Sequence, residues 1–171
     1  DLLVPFAQAS QAVDLLRSGG WQPSVSDRQL ELSLEFMNGS SFQNAQRHQF
    51  DLHWHVFPEC CWEAADEGLW EDAIPVDTFV SLAPPHSTQL LHTVVHGNQW
   101  NPVSGLRWIP DVLFILRTCP DLNWDEVQTE AVERRLVIHL RESLVYLAEH
   151  FGAPVPAGVL RSLERVKTRR G

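Results

Sequence analysis

The sequence predicts an α+β fold in which a strand-containing N-terminal half precedes a helical C-terminal half. Segments typical of strands all lie before Pro84-Pro85, whereas apolar residues recur at helical spacing after that point. The chain has 171 residues, of which 44% are hydrophobic, so it is long enough to bury a core. We therefore expect two regions, residues 1–80 and residues 81–171, the second ending in a basic tail.

The first predicted elements are a strand, a helix and a turn. The apolar run DLLV at residues 1–4 is typical of a short buried strand. The next segment, FAQASQAVDLLR, carries apolar residues at helical spacing, and Gly19-Gly20 supplies a stop. Residues 24–36 contain both a helix cap and alternating leucines; we favour a helix there, followed by a strand near residues 41–45.

The stretch DLHWHVF lies within the clearest strand, which is predicted over residues 49–57. One face of this strand carries apolar side chains: Phe50, Leu52, Trp54 and Val56. The opposite face carries Asp51, His53 and His55, together with Phe57. We expect the apolar face to contribute to the core.

An acidic segment and a series of helices follow Pro58. Residues 59–77 contain seven acids and no base, which is typical of a solvated loop or helix face. Residues 74–83 are predicted to be extended. Helices are then predicted over residues 86–97, 104–117, 123–152 (as one long or two shorter helices) and 154–166.

The charge distribution disfavours some functions. The formal net charge is −9, and five of the 13 basic residues fall in the last 11 positions, so the body of the chain is more acidic than the total indicates. An acidic surface opposes loose binding to nucleic-acid phosphates. The basic tail is typical of a solvated chain end, although contact with RNA or a lipid surface stays open.

Cysteine usage and hydropathy indicate a reducing compartment. The three cysteines, Cys60, Cys61 and Cys119, are odd in number, which argues against a disulfide framework. No apolar run approaches the roughly 18 residues of a membrane-spanning helix, and no signal peptide is recognisable. We expect a cytoplasmic protein without a membrane partner. Because the chain begins in an apolar strand and lacks an initiator methionine, we also expect native sequence upstream.

Asp51, His53 and His55 form the first candidate site, since period-2 spacing places them on one strand face. A carboxylate and two imidazoles are suitable ligands for zinc or a redox metal. A solvated polar face is the alternative that spacing alone favours. Asp1 begins another predicted strand, and two aspartates on adjacent strands can clamp a divalent ion that neutralises nucleotide phosphates.

A second candidate lies in the helical half. His92 and His96 are four residues apart and therefore share one helix face. Thr93 follows His92, so the general base of an HExxH zinc protease is absent. We expect these histidines to lie where the two halves meet or to contact a ligand there. Asp111, within the apolar WIPDVLF, is either a paired structural group or a pocket residue.

Several segments together resemble one protein family. They are DLLV with its helix and GGW, FDLHWHVF, APPHSTQLLHTVVHG, LRWIPDVLFIL, NWDEV and a closing APVP. The chain resembles the uncharacterised nucleotidyltransferase family of the polymerase-β-like nucleotidyltransferase superfamily over roughly residues 1–160. The most specific part is DLHWH joined to the later HG and W-I-P-D segments. The resemblance implies a small mixed β-sheet with flanking helices, followed by a helical C-terminal region.

The resemblance also implies a mechanism. In the superfamily, a D-x-D pair on one strand and a third carboxylate on a neighbouring strand bind magnesium ions that hold the triphosphate of an NTP. Asp1 matches the second aspartate of that pair and Asp51 matches the third carboxylate, so both would be catalytic ligands of Mg²⁺ or Mn²⁺. The expected nucleotide or acceptor contacts are His53, His55, His92, His96 and Asp111.

The match to the superfamily pattern is incomplete. The first aspartate of the D-x-D and the phosphate-binding segment would precede residue 1, which leaves a truncated chain, a lost segment or a degenerate member as alternatives. We expect transfer of a nucleotide from an NTP to an unknown acceptor, a small molecule or protein rather than a long nucleic acid. The rivals are a non-catalytic nucleotide-binding or protein-interaction module and a histidine-rich zinc protein. An exposed edge strand would favour a homodimer.

Overall fold

A computed structural model describes residues 1–76, 81–98 and 105–166 and confirms the predicted α+β class. The chain divides into two compact units, Asp1–Glu71 and Asp72–Gly171. The first unit contains a four-stranded mixed sheet with helices, and the second combines a two-stranded sheet with a larger set of helices.

The first unit is built on the mixed sheet that the family resemblance implies. Its strands are β1 (Leu2–Leu3), β2 (Gln22–Pro23), β3 (Gly39–Gln43) and β4 (Gln49–His53). Its helices are α1 (Ala9–Ser18), α2 (Asp27–Phe36) and α3 (Glu67–Glu71), and a 3₁₀ turn spans Phe6–Gln8. The strand order is β1-β4-β3-β2, with β1 parallel to β4 and the other pairs antiparallel.

Helix α2 forms where the sequence offered two competing patterns. Ser26 caps the helix: its hydroxyl accepts a hydrogen bond from the Gln29 backbone N–H, and the Gln29 side chain accepts one from the Ser26 N–H at 3.0 Å. This capping box satisfies two backbone donors that a helix start leaves unpaired. Leu30 is buried, whereas Leu32 and Phe36 are exposed, as on a helix with one buried face.

Strand β4 ends earlier than its alternating pattern predicts. The predicted strand over residues 49–57 stops at His53, because the Trp54 and His55 N–H groups both donate to the Asn38 carbonyl, at 2.9 and 3.2 Å. Two successive donors on one acceptor break the ladder, so side chains no longer alternate between faces beyond this point. Trp54 is buried, and its Nε1 donates to the Met37 carbonyl at 2.7 Å.

The core of the first unit lies between the sheet and helices α1 and α2. Its buried members are Ala9, Val13, Leu30, Phe42, Leu52 and Trp54. They come from both helices, from β3 and β4, and from the residue after β4. Burial of this cluster fixes which face of the sheet is apolar, so Asp51 and His53 are directed to the other face of β4.

The second unit begins with two paired strands and continues as helices. Strand β5 (Ile74–Val76) pairs antiparallel with β6 (Ser81–Ala83). The helices are α4 (His86–Asn98), α5 (Trp108–Thr118), α6 (Trp124–Glu133), α7 (Val137–Phe151) and α8 (Ala157–Arg165). The segment predicted over residues 123–152 is therefore two helices. Within the described part of the chain, no helix has the length and apolar character needed to cross a membrane.

Helix α4 is bound to α6 by buried hydrogen bonds. The hydroxyls of Ser87 and Thr88, both buried, donate to the carboxylates of Glu126 at 2.7 Å and Glu130 at 3.0 Å. The second Glu130 oxygen accepts from Arg134 Nε at 3.0 Å. Burial raises the pKa of Glu130, although Arg134 and Thr88 oppose the rise.

We expect Glu130→Gln to change how stability depends on pH. Because the folded state raises the pKa of Glu130, it binds the proton more tightly than the unfolded chain does. The carboxylate therefore lowers the free energy of unfolding as pH rises from the unfolded value of 4.5 through the raised folded value. The glutamine variant should gain stability relative to the wild type across that window, as measured by urea unfolding at a series of pH values.

Glu133→Gln is the matched control for this experiment, since Glu133 lies exposed on the same helix. The difference between this control and the wild type should stay nearly constant over the same pH range. A free energy of unfolding of Glu130→Gln that falls relative to the wild type as pH rises would contradict the expectation.

Candidate active site

Strands β1 and β4 bring two of the predicted catalytic residues side by side. In this parallel pair, Leu2 lies opposite Leu52 and Leu3 lies opposite His53. Asp1 and Asp51 each come one residue before the first pair; Asp1 precedes β1, and Asp51 is the third residue of β4. The Val4 N–H donates to the His53 carbonyl at 2.9 Å and continues the pairing past β1.

Asp1, Asp51 and His53 form a cluster of possible metal ligands. Each offers one ligand atom, and these atoms all lie within 4.8 Å of one another. Asp1 is exposed, whereas Asp51 and His53 are half-buried. Two ligands of an octahedral ion with bonds of about 2.1 Å are roughly 3 Å apart when adjacent and about 4.2 Å apart when opposite. The upper limit of 4.8 Å is longer than both separations, so these side chains would have to move closer together to bind a common ion.

Strand β3 and the residue before it support this cluster from the neighbouring position in the sheet. Ser41 is the register partner of Asp51, and its hydroxyl donates a short hydrogen bond to Asp51 Oδ1. The Asn38 side-chain amide lies 3.2 Å from His53 Nδ1. Sequence reasoning missed these residues, because they become neighbours of the site only through the register of the β3–β4 hairpin.

Gly39 provides space for the His53 side chain. It is the register partner of His53, and a Cβ at this position would lie 2.7 Å from His53 Nδ1 and 2.6 Å from the Leu52 carbonyl oxygen. Any larger residue would force the imidazole or the strand to move. The close approach of Gly39 therefore contributes to the orientation of the imidazole.

A second group of predicted residues meets in a pocket of the helical unit. His92, His96 and Asp111 line a cavity of about 290 Å³, together with Thr93, Gly97, Arg107 and Trp108. The His92 and His96 rings are stacked with their centroids 5.7 Å apart. Arg107 and Trp108, at the start of α5, were not predicted from the sequence. The WIPD motif could have indicated Trp108, because it places this residue one helical turn before Asp111.

Gly97 allows helices α4 and α5 to approach closely beside this pocket. A Cβ on Gly97 would lie 2.1 Å from Trp108 Cγ and 2.3 Å from Trp108 Cβ. No side chain fits at such distances, so the backbone of α4 is in direct contact with the indole. Trp108 is thereby fixed as one wall of the pocket.

The comparison with protein families decides the classification. A family model described as uncharacterised nucleotidyltransferase matches residues 1–152, a span that includes both groups of candidate residues. The chain belongs to this nucleotidyltransferase family. The resemblance drawn from the DLHWH and WIPD segments is thereby confirmed. No curated protein and no solved structure matches the chain.

In this member of the family, His55 is not part of the ligand cluster. It is buried, its Nδ1 lies 3.0 Å from Asp66 Oδ2, and its ring stacks on Phe6 with centroids 4.9 Å apart. Asp66 Oδ2 also accepts from the Val56 N–H at 3.2 Å. Since β4 ends at His53, the spacing that was expected to direct His55 toward the same ligand does not apply.

Cys60, Cys61 and Cys119 form no disulfide, and Cys60 and Cys61 follow β4 closely. Cys60 is buried, and Cys61 Sγ lies 3.3 Å from the Pro58 carbonyl oxygen. Burial raises the pKa of the Cys61 thiol, and the nearby carboxylates of Asp66 and Glu59 raise it further. The thiol is therefore held in its protonated form, which is a poor nucleophile and a poor metal ligand.

Proposed function

We propose that the chain transfers a nucleotide from an NTP to an acceptor, using a divalent ion, Mg²⁺ or Mn²⁺, bound by Asp1 and Asp51. The observation that carries the proposal is the approach of Asp1, Asp51 and His53 to within 4.8 Å in a member of a nucleotidyltransferase family. Two carboxylates on neighbouring strands are oxygen ligands of the kind these hard cations prefer.

The chemistry divides between the ion and the side chains around it. When bound, the ion would neutralise charge on the triphosphate and orient its α-phosphate for in-line displacement, with pyrophosphate as the leaving group. Asp1 and Asp51 would hold the ion, and the Ser41 hydroxyl restrains the orientation of the Asp51 carboxylate. Asp51 would also accept the proton of the attacking hydroxyl, a role that requires its carboxylate to be ionised before the transfer.

His92, His96 and Asp111 supply nucleotide or acceptor contacts in the proposal. Their pocket contains donors suited to phosphate or hydroxyl oxygens, Arg107 and the two imidazoles, and one acceptor, Asp111. Trp108 adds a flat apolar wall of the kind on which a base or sugar ring can lie. This combination of few polar groups around an aromatic residue is typical of a small-molecule site.

The choice of acceptor follows from charge. With a net charge of −9, a small molecule or a protein is a better acceptor than a long nucleic acid, whose phosphates the chain would repel.

A homodimer formed along an open edge of the four-stranded sheet, where β1 and β2 are the outer strands, is part of the proposal. Light scattering over a range of concentrations would test the homodimer, since the molar mass in solution should reach twice that of one chain.

The alternative is a nucleotide-binding module that transfers nothing. It would bind the nucleotide through the same ligand cluster and the same pocket. The two functions share NTP binding and differ in the release of pyrophosphate.

The test is a calorimetric titration of the four common NTPs into the chain with Mg²⁺, with Mn²⁺ and with a chelator. At least one NTP should bind in the presence of the metal, and its affinity should fall sharply with the chelator. Pyrophosphate release on addition of small-molecule or protein hydroxyl acceptors would then favour transfer over the binding module. Equal NTP affinity with and without metal, or none in any condition, would contradict the proposal.

A further inference from the structure

We infer that the pocket of the helical unit binds a single sugar ring, which makes a carbohydrate with neighbouring hydroxyl groups the class of acceptor. The pocket lies between α4 and α5, and its charged and imidazole side chains are Arg107, Asp111, His92 and His96. Binding of the sugar depends on these residues and on Trp108, whereas the role of the sugar as acceptor rests on the proposed function.

The size of the pocket limits the ligand to about one ring. Its volume is about 290 Å³. Pockets for drug-sized ligands measure about 300 to 1,000 Å³, so this one lies at the small end. An NTP carries a base, a ribose and three phosphate groups, and the pocket could enclose only one part of it. It therefore suits one ring with its substituents.

Opposite charges in the pocket disfavour a strongly charged ligand. Arg107 and Asp111 are four residues apart at the start of α5, and both side chains are exposed. Neither forms an ion pair with any residue that the structure describes. A phosphate ligand would be repelled by the Asp111 carboxylate, and an amine would be repelled by the Arg107 guanidinium. A neutral molecule that both donates and accepts hydrogen bonds avoids both repulsions.

The polar groups supply both kinds of hydrogen bond that sugar hydroxyls form. Each hydroxyl donates one hydrogen bond and also accepts. The Asp111 carboxylate accepts only, and its two oxygens suit two neighbouring hydroxyls, whereas the Arg107 guanidinium donates in a planar fork. His96, exposed on α4 and stacked on His92 with centroids 5.7 Å apart, adds a polar ring from the other helix. Groups on two helices can reach hydroxyls that point in different directions, whereas a flat base has its polar atoms in one plane.

Trp108 provides the apolar wall that a sugar ring requires. The indole is half-buried, and a Cβ on Gly97 would lie 2.1 Å from its Cγ, so the backbone of α4 is in contact with it. Tyr146 lies on it as well, with ring centroids 6.5 Å apart. The C–H groups on one face of a sugar ring pack well against the electron-rich face of an aromatic ring. An indole fixed before the ligand arrives needs little ordering on binding.

A sugar also supplies the group that the proposed transfer requires. The oxygen of one hydroxyl would form a bond to the α-phosphate of the NTP while the bond to pyrophosphate breaks, and the hydroxyl proton would pass to the base of the reaction. The products would be a nucleotidylated sugar and pyrophosphate. A neutral acceptor also agrees with the net charge of −9, because an acidic chain does not repel it.

The first test is saturation-transfer-difference NMR of the chain with the methyl glycosides of glucose, galactose, mannose and N-acetylglucosamine, without NTP or metal. At least one glycoside should bind with a millimolar dissociation constant, and the protons on one face of its ring should receive the most saturation. Asp111→Asn should weaken this binding at least about tenfold, since hydrogen bonds to charged groups are the stronger ones. Absence of binding by all four glycosides overturns the inference.

Asp125→Asn is the matched control. Asp125 is an exposed carboxylate in the first turn of α6, as Asp111 is in the first turn of α5, but it does not line the pocket. The control should bind the glycoside as the wild type does, and thermal unfolding should show that both variants are folded. Equal affinity in the wild type and Asp111→Asn, or equal losses in the two variants, would overturn the inference.

The second test offers the pocket the two other chemistries that its residues could attract. Inorganic phosphate and the free bases adenine, guanine, cytosine and uracil are added in turn as competitors of the bound glycoside. None of them should displace it at equal concentration. Displacement by phosphate would make the pocket an anion site, and displacement by a base would make it a base site. Either result overturns the inference.

The proposed function and the binding of a sugar fail in different ways. Glycoside binding that depends on Asp111, without metal-dependent NTP affinity, would support the sugar site and count against nucleotide transfer. Metal-dependent NTP affinity without glycoside binding would overturn the sugar site and leave nucleotide transfer supported.

Discussion

Asp51→Asn is expected to lower metal-dependent NTP affinity by at least about a hundredfold. The substitution keeps the shape of the side chain and its hydrogen bond with Ser41, but it removes one of two negative ligands of the ion. Loss of outer partners of a metal site already costs about 10- to 100-fold in affinity, so loss of a charged ligand should reach the upper end or exceed it. Calorimetry with Mn²⁺ and with the NTP that binds best would measure the change.

The control for this variant is Asp14→Asn, which removes an exposed carboxylate on α1 of the same unit. It should leave NTP affinity within about twofold of the wild type, so that a general effect of net charge can be separated from loss of the ligand. Thermal unfolding should change little in Asp14→Asn, because substitutions at exposed positions typically shift stability by less than about 0.5 kcal/mol. The same measurement shows whether Asp51→Asn, at a half-buried position bonded to Ser41, is still folded. If Asp51→Asn bound the NTP with wild-type affinity, the proposal that Asp51 is a ligand of the ion would be wrong.

Gly97→Ala is expected to lower the free energy of unfolding by about 2 kcal/mol. The new methyl group would lie 2.1 to 2.5 Å from three atoms of Trp108, including its Cβ, which cannot move away by side-chain rotation alone. Overpacking of this kind costs up to about 3 kcal/mol, and the better helix propensity of alanine returns about 1 kcal/mol. Urea unfolding would measure the net loss, and the pocket beside Trp108 should be distorted.

Gly158→Ala provides a helix-matched comparison. Gly158 lies in α8, and a Cβ there would meet nothing within 4 Å. Alanine should therefore be neutral or stabilise the protein by up to about 1 kcal/mol through helix propensity and reduced entropy of the unfolded chain. If the two substitutions changed the free energy of unfolding by similar amounts, the close approach of Trp108 would not exclude a methyl group at position 97, and the expectation would be wrong.

The ligand strands could be predicted because their signals are local. The apolar run after Asp1 and the alternation around Asp51 each identify a strand within a few residues. The resemblance to the family implied that the two strands are neighbours, but their direction and register were not predicted. The parallel register of Leu2 with Leu52 supplies what the pattern lacked, because Asp1 and Asp51 each precede this pair by one residue.

Other features depend on contacts between segments that the sequence does not connect. The early end of β4 results from two donors meeting the Asn38 carbonyl, and no residue type near His53 indicates it. Similarly, α6 and α7 separate at Arg135, which adopts a positive φ of 60° although arginine has no preference for that conformation. The support of the site by Asn38 and Gly39 was hidden for the same reason, because it depends on the hairpin register.

The stacking of Phe6 on His55 has a consequence for the entropy of ligand binding. Phe6 follows β1 and His55 follows β4, so the stacking of their rings joins the two strands beyond their ends. Asp66, in the acidic segment, lies within hydrogen-bond distance of the His55 ring. Strands joined in this way have little freedom to change the distance between them. Their ordering is completed during folding, so a cation bound by the two aspartates would lose less free energy to ordering the protein. We expect the buried His55 to act on the proposed metal site through this preorganisation.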